Sequence, residues 1–210
     1  MDYINLYTRQ HENSIYELRQ KGQITNKEIY IRLHMRDIAP FFLEKYSIFT
    51  KMANKRIAKP QGVEYPIWCS VSKENCLHPI EKELVYALKV PRDEIIYFDG
   101  GKWDFVLNNL YIPLDKEDKL AYQKELMGYG VSNSYELLLD RNKSIYAHLE
   151  NKITHSWERI FEIDQWNPFV VQANLWQIKE EWVQHILGPG EDIFALTDME
   201  ETFPPKDLMK

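Results

Sequence analysis

Cysteine is scarce in this chain: Cys69 and Cys76 are the two in 210 residues. That count excludes a disulfide framework and a Cys-rich metal site. Histidine does not fill the gap, because His11, His34, His78, His148, His155 and His185 are scattered and none falls in an H-E-x-x-H arrangement. Also missing are the G-x-x-x-x-G-K-[ST] loop that cradles phosphates and the G-x-G-x-x-G turn of dinucleotide-binding folds. No G-x-S-x-G elbow is present, so Ser70 and Ser72 have no identifiable base to activate them. Apolar runs fall short of the roughly 18 residues that span a bilayer, which predicts no membrane partner. Residues 1–5 lack the basic and apolar regions of a signal peptide, and the expected address is cytoplasmic. A surplus of positive charge is missing too. The net charge of −6 argues against a protein that coats nucleic acid by charge alone.

What is present is aromatic. Six Trp and thirteen Tyr bring the aromatic fraction to 13%, a composition that folds rather than staying disordered. Ile4–Thr8 reads as a strand, followed by a helix that Gly22 ends. Thr25 and Glu28 have the spacing of a capping box for a second helix running to about Ile38. Phe42, Tyr46, Phe49, Met52 and Ala53 recur at helical spacing. Tyr65–Ser72 and the 84–99 segment, bent at Pro91, read as strands, and Leu110–Leu114 reads as an edge strand. Beyond Leu114 the chain is charged and helix-prone, with a final helix expected through Ala173, Trp176, Ile178, Trp182 and Ile186. The reading is α+β: a small, twisted, mostly antiparallel sheet in the N-terminal half with a helical C-terminal half packed on it. It places one domain at 1–190, strand-rich over 1–114 and helical over 115–190, with an acidic tail at 191–210.

The residues that can carry chemistry sit at strand ends. Thr8 and Arg9 close the first strand, Tyr65 opens another, and Ser70 and Ser72 alternate along it. Glu94 and Asp99 lie on a third, and Gly100-Gly101 follows, where a ligand can approach the backbone closely. A guanidinium clamps a diphosphate with paired hydrogen bonds. Strand hydroxyls and a Tyr ring hold a sugar or stack on a flat heterocycle, and a carboxylate stabilises an oxocarbenium-like centre as a glycosidic bond breaks. The plainer alternative is a surface Arg, a solvated Ser pair and turn carboxylates. Cys69, inside an apolar run, reads as a small core residue.

Met52-x-x-Lys55-Arg56, Tyr65-Pro66-Ile67-Trp68, Val90-Pro91 leading to Asp99 and Trp103, Leu107-Asn108, Ser156–Phe161, Val171-Gln172-Ala173, Leu175-Trp176 and Trp182-Val183 occur in this order along the chain. Together these segments resemble a bacterial family, domain of unknown function 3841. More loosely, the opening from Leu6-Tyr7-Thr8 to Gly22-Gln23-Ile24 resembles small ADP-ribosyltransferase-like domains. That resemblance implies NAD as the substrate, with Thr8, Arg9, Tyr65 and Ser70 as binding residues: Arg9 at the diphosphate and Tyr65 or Ser70 on the nicotinamide side. Glu94 or Asp99 would then be the catalytic acid, and no metal is needed. It also implies ADP-ribose transfer to a protein or RNA acceptor, as in a bacterial toxin or defence effector that can carry an antitoxin or other protein partner.

Two other classes stay open. A protein-interaction module would present Trp157, Trp166, Trp176 and Trp182 as an exposed groove. An RNA-binding domain would use Lys51, Lys55 and Arg56 beside Tyr46 and Phe49, with steep salt dependence.

Overall fold

The computed structural model describes residues 2–138 and 145–199. Its first strand, β1 (Tyr3–His11), carries Ile4, Leu6 and Thr8 buried on one face, as alternation requires. Helix α1 (Ser14–Lys21) follows and stops at Gly22, whose φ of 68° is the left-handed conformation that closes a helix; its amide donates to the Leu18 carbonyl at 2.7 Å. Then come β2 (Gln23–Ile24), α2 (Glu28–Met35), a 3-10 turn (Arg36–Ile38) and α3 (Ala39–Ala53), with Pro40 tolerated in the first turn of α3. Strands β3 (Ile67–Ser70), β4 (Glu83–Pro91) and β5 (Ile96–Asp99) are next, with a 3-10 turn (Arg92–Glu94) where the bend at Pro91 is expected. After α4 (Gly100–Leu107), α5 (Lys116–Gly128) and α6 (Ala147–Ser156), the chain returns to strand in β6 (Val171–Leu175), β7 (Ile178–Lys179) and β8 (Val183–Leu187).

Six strands form the main sheet in the order β5-β6-β3-β1-β4-β8, and β2 and β7 make a separate ribbon. The pairings of β1 with β3 and β4, of β3 with β6 and of β4 with β8 are all antiparallel. The protein is therefore α+β with an antiparallel sheet, as its sequence suggests. By internal contacts the chain divides into two compact units, Met1–Phe98 with Ile163–Lys210, and Asp99–Glu162. In the first unit one face of the sheet buries Ile4, Leu6, Cys69, Tyr86, Leu88, Ala173 and Leu175, joined by Leu18 of α1 and Trp182. On the opposite face Tyr7, Val85 and Ala87 pack with Cys76, Ile193 and Met199. Ile193 and Met199 come from the segment read as an acidic tail; residues 200–210 of that segment lie outside the described residues.

Several expectations are overturned. The final helix expected from Ala173 to Ile186 is instead β6, β7 and β8. Pairing with β3, Ile67↔Leu175 through Ser70↔Gln172, overrides the three- and four-residue spacing. Leu110–Leu114 is not a strand, and among the described residues it pairs with none. Side chains take two of its polar groups, the Ile112 amide donating to Ser156 Oγ at 2.9 Å and Trp157 Nε1 to the Leu110 carbonyl at 2.8 Å, while the Leu110 amide donates to the Phe105 carbonyl at 2.8 Å. Gly100-Gly101 opens α4 rather than lining a cleft. The capping box does not form: the Glu28 amide donates to Glu64 Oε2 at 2.7 Å, while Thr25 Oγ1 turns to Glu17 Oε1 at 3.5 Å.

In the Asp99–Glu162 unit, one carboxylate organises the packing. Asp118 accepts from the Leu114 amide and the Tyr111 hydroxyl, each at 2.8 Å, and pairs with Arg159 at 3.4 Å. Tyr111 stacks on Tyr122 with ring centroids 4.1 Å apart, and Lys152 lies over both rings. The Leu114 amide is the strongest influence holding the Asp118 carboxyl below its ordinary pKa; Tyr111, Arg159 and Lys152 add to it against a partial desolvation. Because the folded value lies below the unfolded value of about 3.9, this stabilisation is complete above the unfolded value. It is lost as pH falls through the folded one. Asp118→Asn should therefore lower stability at neutral pH and flatten its decline below about pH 4, read by urea unfolding at a series of pH values. Separately, Gly22→Ala should cost about 1 kcal/mol in the same measurement, since φ is positive there.

Candidate functional site

The two central strands of the sheet do not stay together. β1 is paired with β4 over nine residues, from Tyr3↔Pro91 to His11↔Glu83, but with β3 at the single register position Tyr7↔Ser70. Beyond that pair a side chain replaces the ladder: Thr8 Oγ1 donates to the Trp68 carbonyl at 2.7 Å. The same hydroxyl accepts from Gln10 Nε2 at 2.8 Å. The strands thus part below the Tyr7–Ser70 pinch, and the polar groups at the opening are Thr8, Arg9 and Gln10 on one lip and Ser70 on the other.

Arg9 is held from two sides. Its Nε meets Glu83 Oε2 at 2.6 Å and its Nη1 donates to the His78 carbonyl at 3.2 Å. These bonds use part of the five-donor guanidinium fork. Ser70 Oγ donates to the Asn75 carbonyl at 2.9 Å, and Asn75 in turn donates to the Pro168 and Phe169 carbonyls, which ties the turn after β3 to the approach to β6. Tyr65 lies just before β3, in an isolated bridge with Asn26 and half-buried.

Of the two acids, Glu94 lies elsewhere. Glu94, in the turn after β4, pairs with Lys179 at 2.9 Å. Pro91 is opposite Tyr3, so Glu94 belongs to the end of β1 remote from Arg9; the six steps from Tyr3 to Arg9 span about 20 Å at ~3.4 Å per residue. Asp99 is the N-cap of α4, its Oδ1 accepting from the Lys102 amide at 2.9 Å. Thr8 and Arg9 directly follow Tyr7, the residue opposite Ser70, and as neighbours in a strand they project to opposite faces; Glu94 is not brought to them.

Sequence reasoning passed over Glu83, the carboxylate that pairs with Arg9, because the partnership is made across the β1–β4 ladder and leaves no local signal. It also gave no role to Gln172, which faces Ser70 from β6. The remaining groups are quieter. Cys69 and Cys76 are free and buried, and desolvation raises both thiols, Cys76 to about 12. Neither is a nucleophile near neutral pH. Among the described residues no group of three or more His, Cys, Asp or Glu is placed to hold a metal ion, and no helix is long and apolar enough to cross a membrane. Trp157, Trp176 and Trp182 are buried and Trp166 packs against the core, so these rings form no exposed groove. Lys51, Lys55 and Arg56 are exposed, but Phe49 is fully buried beneath Trp68 and Phe98.

The fold is thus an α+β domain whose antiparallel sheet opens between its two central strands. The family described as a domain of unknown function (DUF3841) matches residues 5–184, and the chain belongs to it. No curated protein and no solved structure matches.

Asp99→Ala should lower stability by about 1 kcal/mol, whereas Asp99→Asn, still a good N-cap, should stay within a few tenths; thermal unfolding of both variants checks the capping role.

Proposed function

We propose that this chain is an ADP-ribosyltransferase-like domain that binds NAD and transfers ADP-ribose to a macromolecular acceptor, as a bacterial toxin or defence effector does. The observation that carries the reading is the opening of the sheet at Tyr7–Ser70, with Thr8 and Arg9 on one lip and Ser70 on the other. These are the groups that the resemblance to such domains assigns to the dinucleotide. The order of the elements, an Arg-bearing strand beside a Ser-bearing one, supports it as well.

The chemistry follows from the groups. Arg9 keeps Nη donors for a diphosphate while Glu83 and the His78 carbonyl hold its orientation. Ser70 offers its hydroxyl lone pairs to the nicotinamide riboside. In the transfer, nicotinamide leaves with the bonding electron pair, and a nucleophilic oxygen or nitrogen of the acceptor bonds to the anomeric carbon and gives up its proton. A carboxylate stabilises the oxocarbenium-like centre in between. The resemblance names Glu94 and Asp99 as the acids; because Glu94 belongs to the end of β1 remote from Arg9 and pairs with Lys179, Glu94→Gln should leave transfer unchanged, and loss of transfer in Asp99→Asn assigns the role to Asp99.

The test is a thermal-shift titration with NAD, with ADP-ribose and ATP alongside. NAD and ADP-ribose should raise the melting temperature in a concentration-dependent way. Arg9→Ala should weaken NAD binding about tenfold or more, and Arg9→Lys should not restore it, since an ammonium lacks the planar fork. A flat response to NAD up to millimolar concentration, with no labelled ADP-ribose on cellular protein or RNA, overturns the proposal.

A further inference from the structure

Three side chains form a row across the middle of the sheet. Tyr7 of β1 is opposite Ser70 of β3, and Ser70 is opposite Gln172 of β6. Directly opposed residues of antiparallel strands project to the same face, with Cβ atoms about 4.5–5.5 Å apart. Tyr7 is buried, and Ser70 donates to the Asn75 carbonyl. Gln172 differs from both. It is half-buried, and among the described residues its side-chain amide has no hydrogen-bond partner.

A glutamine amide holds two N–H donors and one carbonyl acceptor in a single plane. On Gln172 these atoms stay open to solvent, so they are accessible to a ligand. Two residues along the same face, the Asn174 amide donates to the Ile67 carbonyl at 3.2 Å, while its Oδ1 is buried without a partner. This face of β6 therefore presents side-chain amides and no carboxylate. The chemical group that matches a planar donor–acceptor pair is another planar donor–acceptor pair, so that each N–H meets the other's oxygen.

We infer that Gln172 is a specificity-determining residue that reads a primary carboxamide, that of the nicotinamide ring. The inference rests on the NAD reading above. Ser70, opposite Gln172 and beside the opening, puts the row where the nicotinamide end is assigned. A ligand with a carboxylate in place of the carboxamide supplies no N–H for the Gln172 oxygen, and a site built to hydrogen-bond one group rejects the analogue that lacks it.

The experiment measures affinity by calorimetry for three ligands: NAD, its analogue with nicotinic acid in place of nicotinamide, and ADP-ribose, which lacks the ring. The wild-type chain should bind NAD about tenfold or more tightly than the acid analogue. Gln172→Ala should weaken NAD by about tenfold, reduce that preference to within about twofold, and leave ADP-ribose affinity unchanged. Gln172→Glu should retain NAD and reject the acid analogue more strongly, because two carboxylates then meet. If the wild type binds NAD and the acid analogue equally, or if Gln172→Ala weakens ADP-ribose as much as NAD, the assignment to Gln172 is overturned while NAD binding stands. If the wild type binds neither NAD nor ADP-ribose, the parent reading fails and this inference fails with it.

Discussion

The nine-pair ladder between β1 and β4 is the constraint on which the rest of the main sheet depends. It fixes β1 along its whole length, so any divergence at the centre of the sheet must be taken up by β3. β3 is short, and it pairs instead with β6 over four residues, Ile67↔Leu175 to Ser70↔Gln172. The sheet thus behaves as two paired blocks touching at Tyr7↔Ser70. A gap in a ladder leaves backbone groups unpaired, which is unfavourable in an interior. Here the Thr8 hydroxyl satisfies the Trp68 carbonyl across the gap, while Asn174 Nδ2, from the paired strand β6, donates to the Ile67 carbonyl. A β-branched residue with a hydroxyl is suited to both tasks: strand geometry and a reach of one bond beyond Cβ.

Polar side chains around this opening divide into committed and uncommitted groups. Arg9 is only about one-fifth exposed and is positioned by Glu83, which preorganises it at the end of the β1–β4 ladder. The Glu94–Lys179 pair, about one-third exposed on each side, is a weaker fastening, since solvent-accessible ion pairs contribute roughly 0–1 kcal/mol. Glu17 shows the same logic on the helical cover of the sheet. Burial alone would raise its pKa, but the hydrogen bonds from Lys27 and Lys21 outweigh it and the net shift is downward. Such groups hold the scaffold, whereas Gln172 has no hydrogen-bond partner among the described residues.

Local signals were legible where they were self-sufficient. Gly22 ends α1, Pro91 bends the chain between β4 and β5, and the alternation of Ile4, Leu6 and Thr8 marks β1. Reading failed where a distant segment decides. The stretch from Ala173 to Ile186 has helical spacing and also the alternation of Val171, Ala173 and Leu175, and pairing with β3 selects the second. Helix α4 was missed because Gly100-Gly101 looks like a loop; the Asp99 cap and the three-residue step from buried Trp103 to buried Val106 are the signals that reveal it. At the site, Thr8, Arg9 and Ser70 were readable as polar residues at strand ends. Which acid accompanies Arg9, and which residue faces Ser70, depend on register, and register is not written in either strand alone.

The place of β6 in the sheet has a bearing on how the protein is made. It lies between β5 and β3, yet it is synthesised more than seventy residues after β5 ends at Asp99. Until residue 175 has left the ribosome, the nascent chain holds β3 and β5 with open edges and no strand to join them. Open edges are templates for pairing with other chains. The hazard in biosynthesis is therefore concentrated in the interval when the helices of residues 100–156 emerge, and a chaperone that shields strand edges would act most usefully in that window.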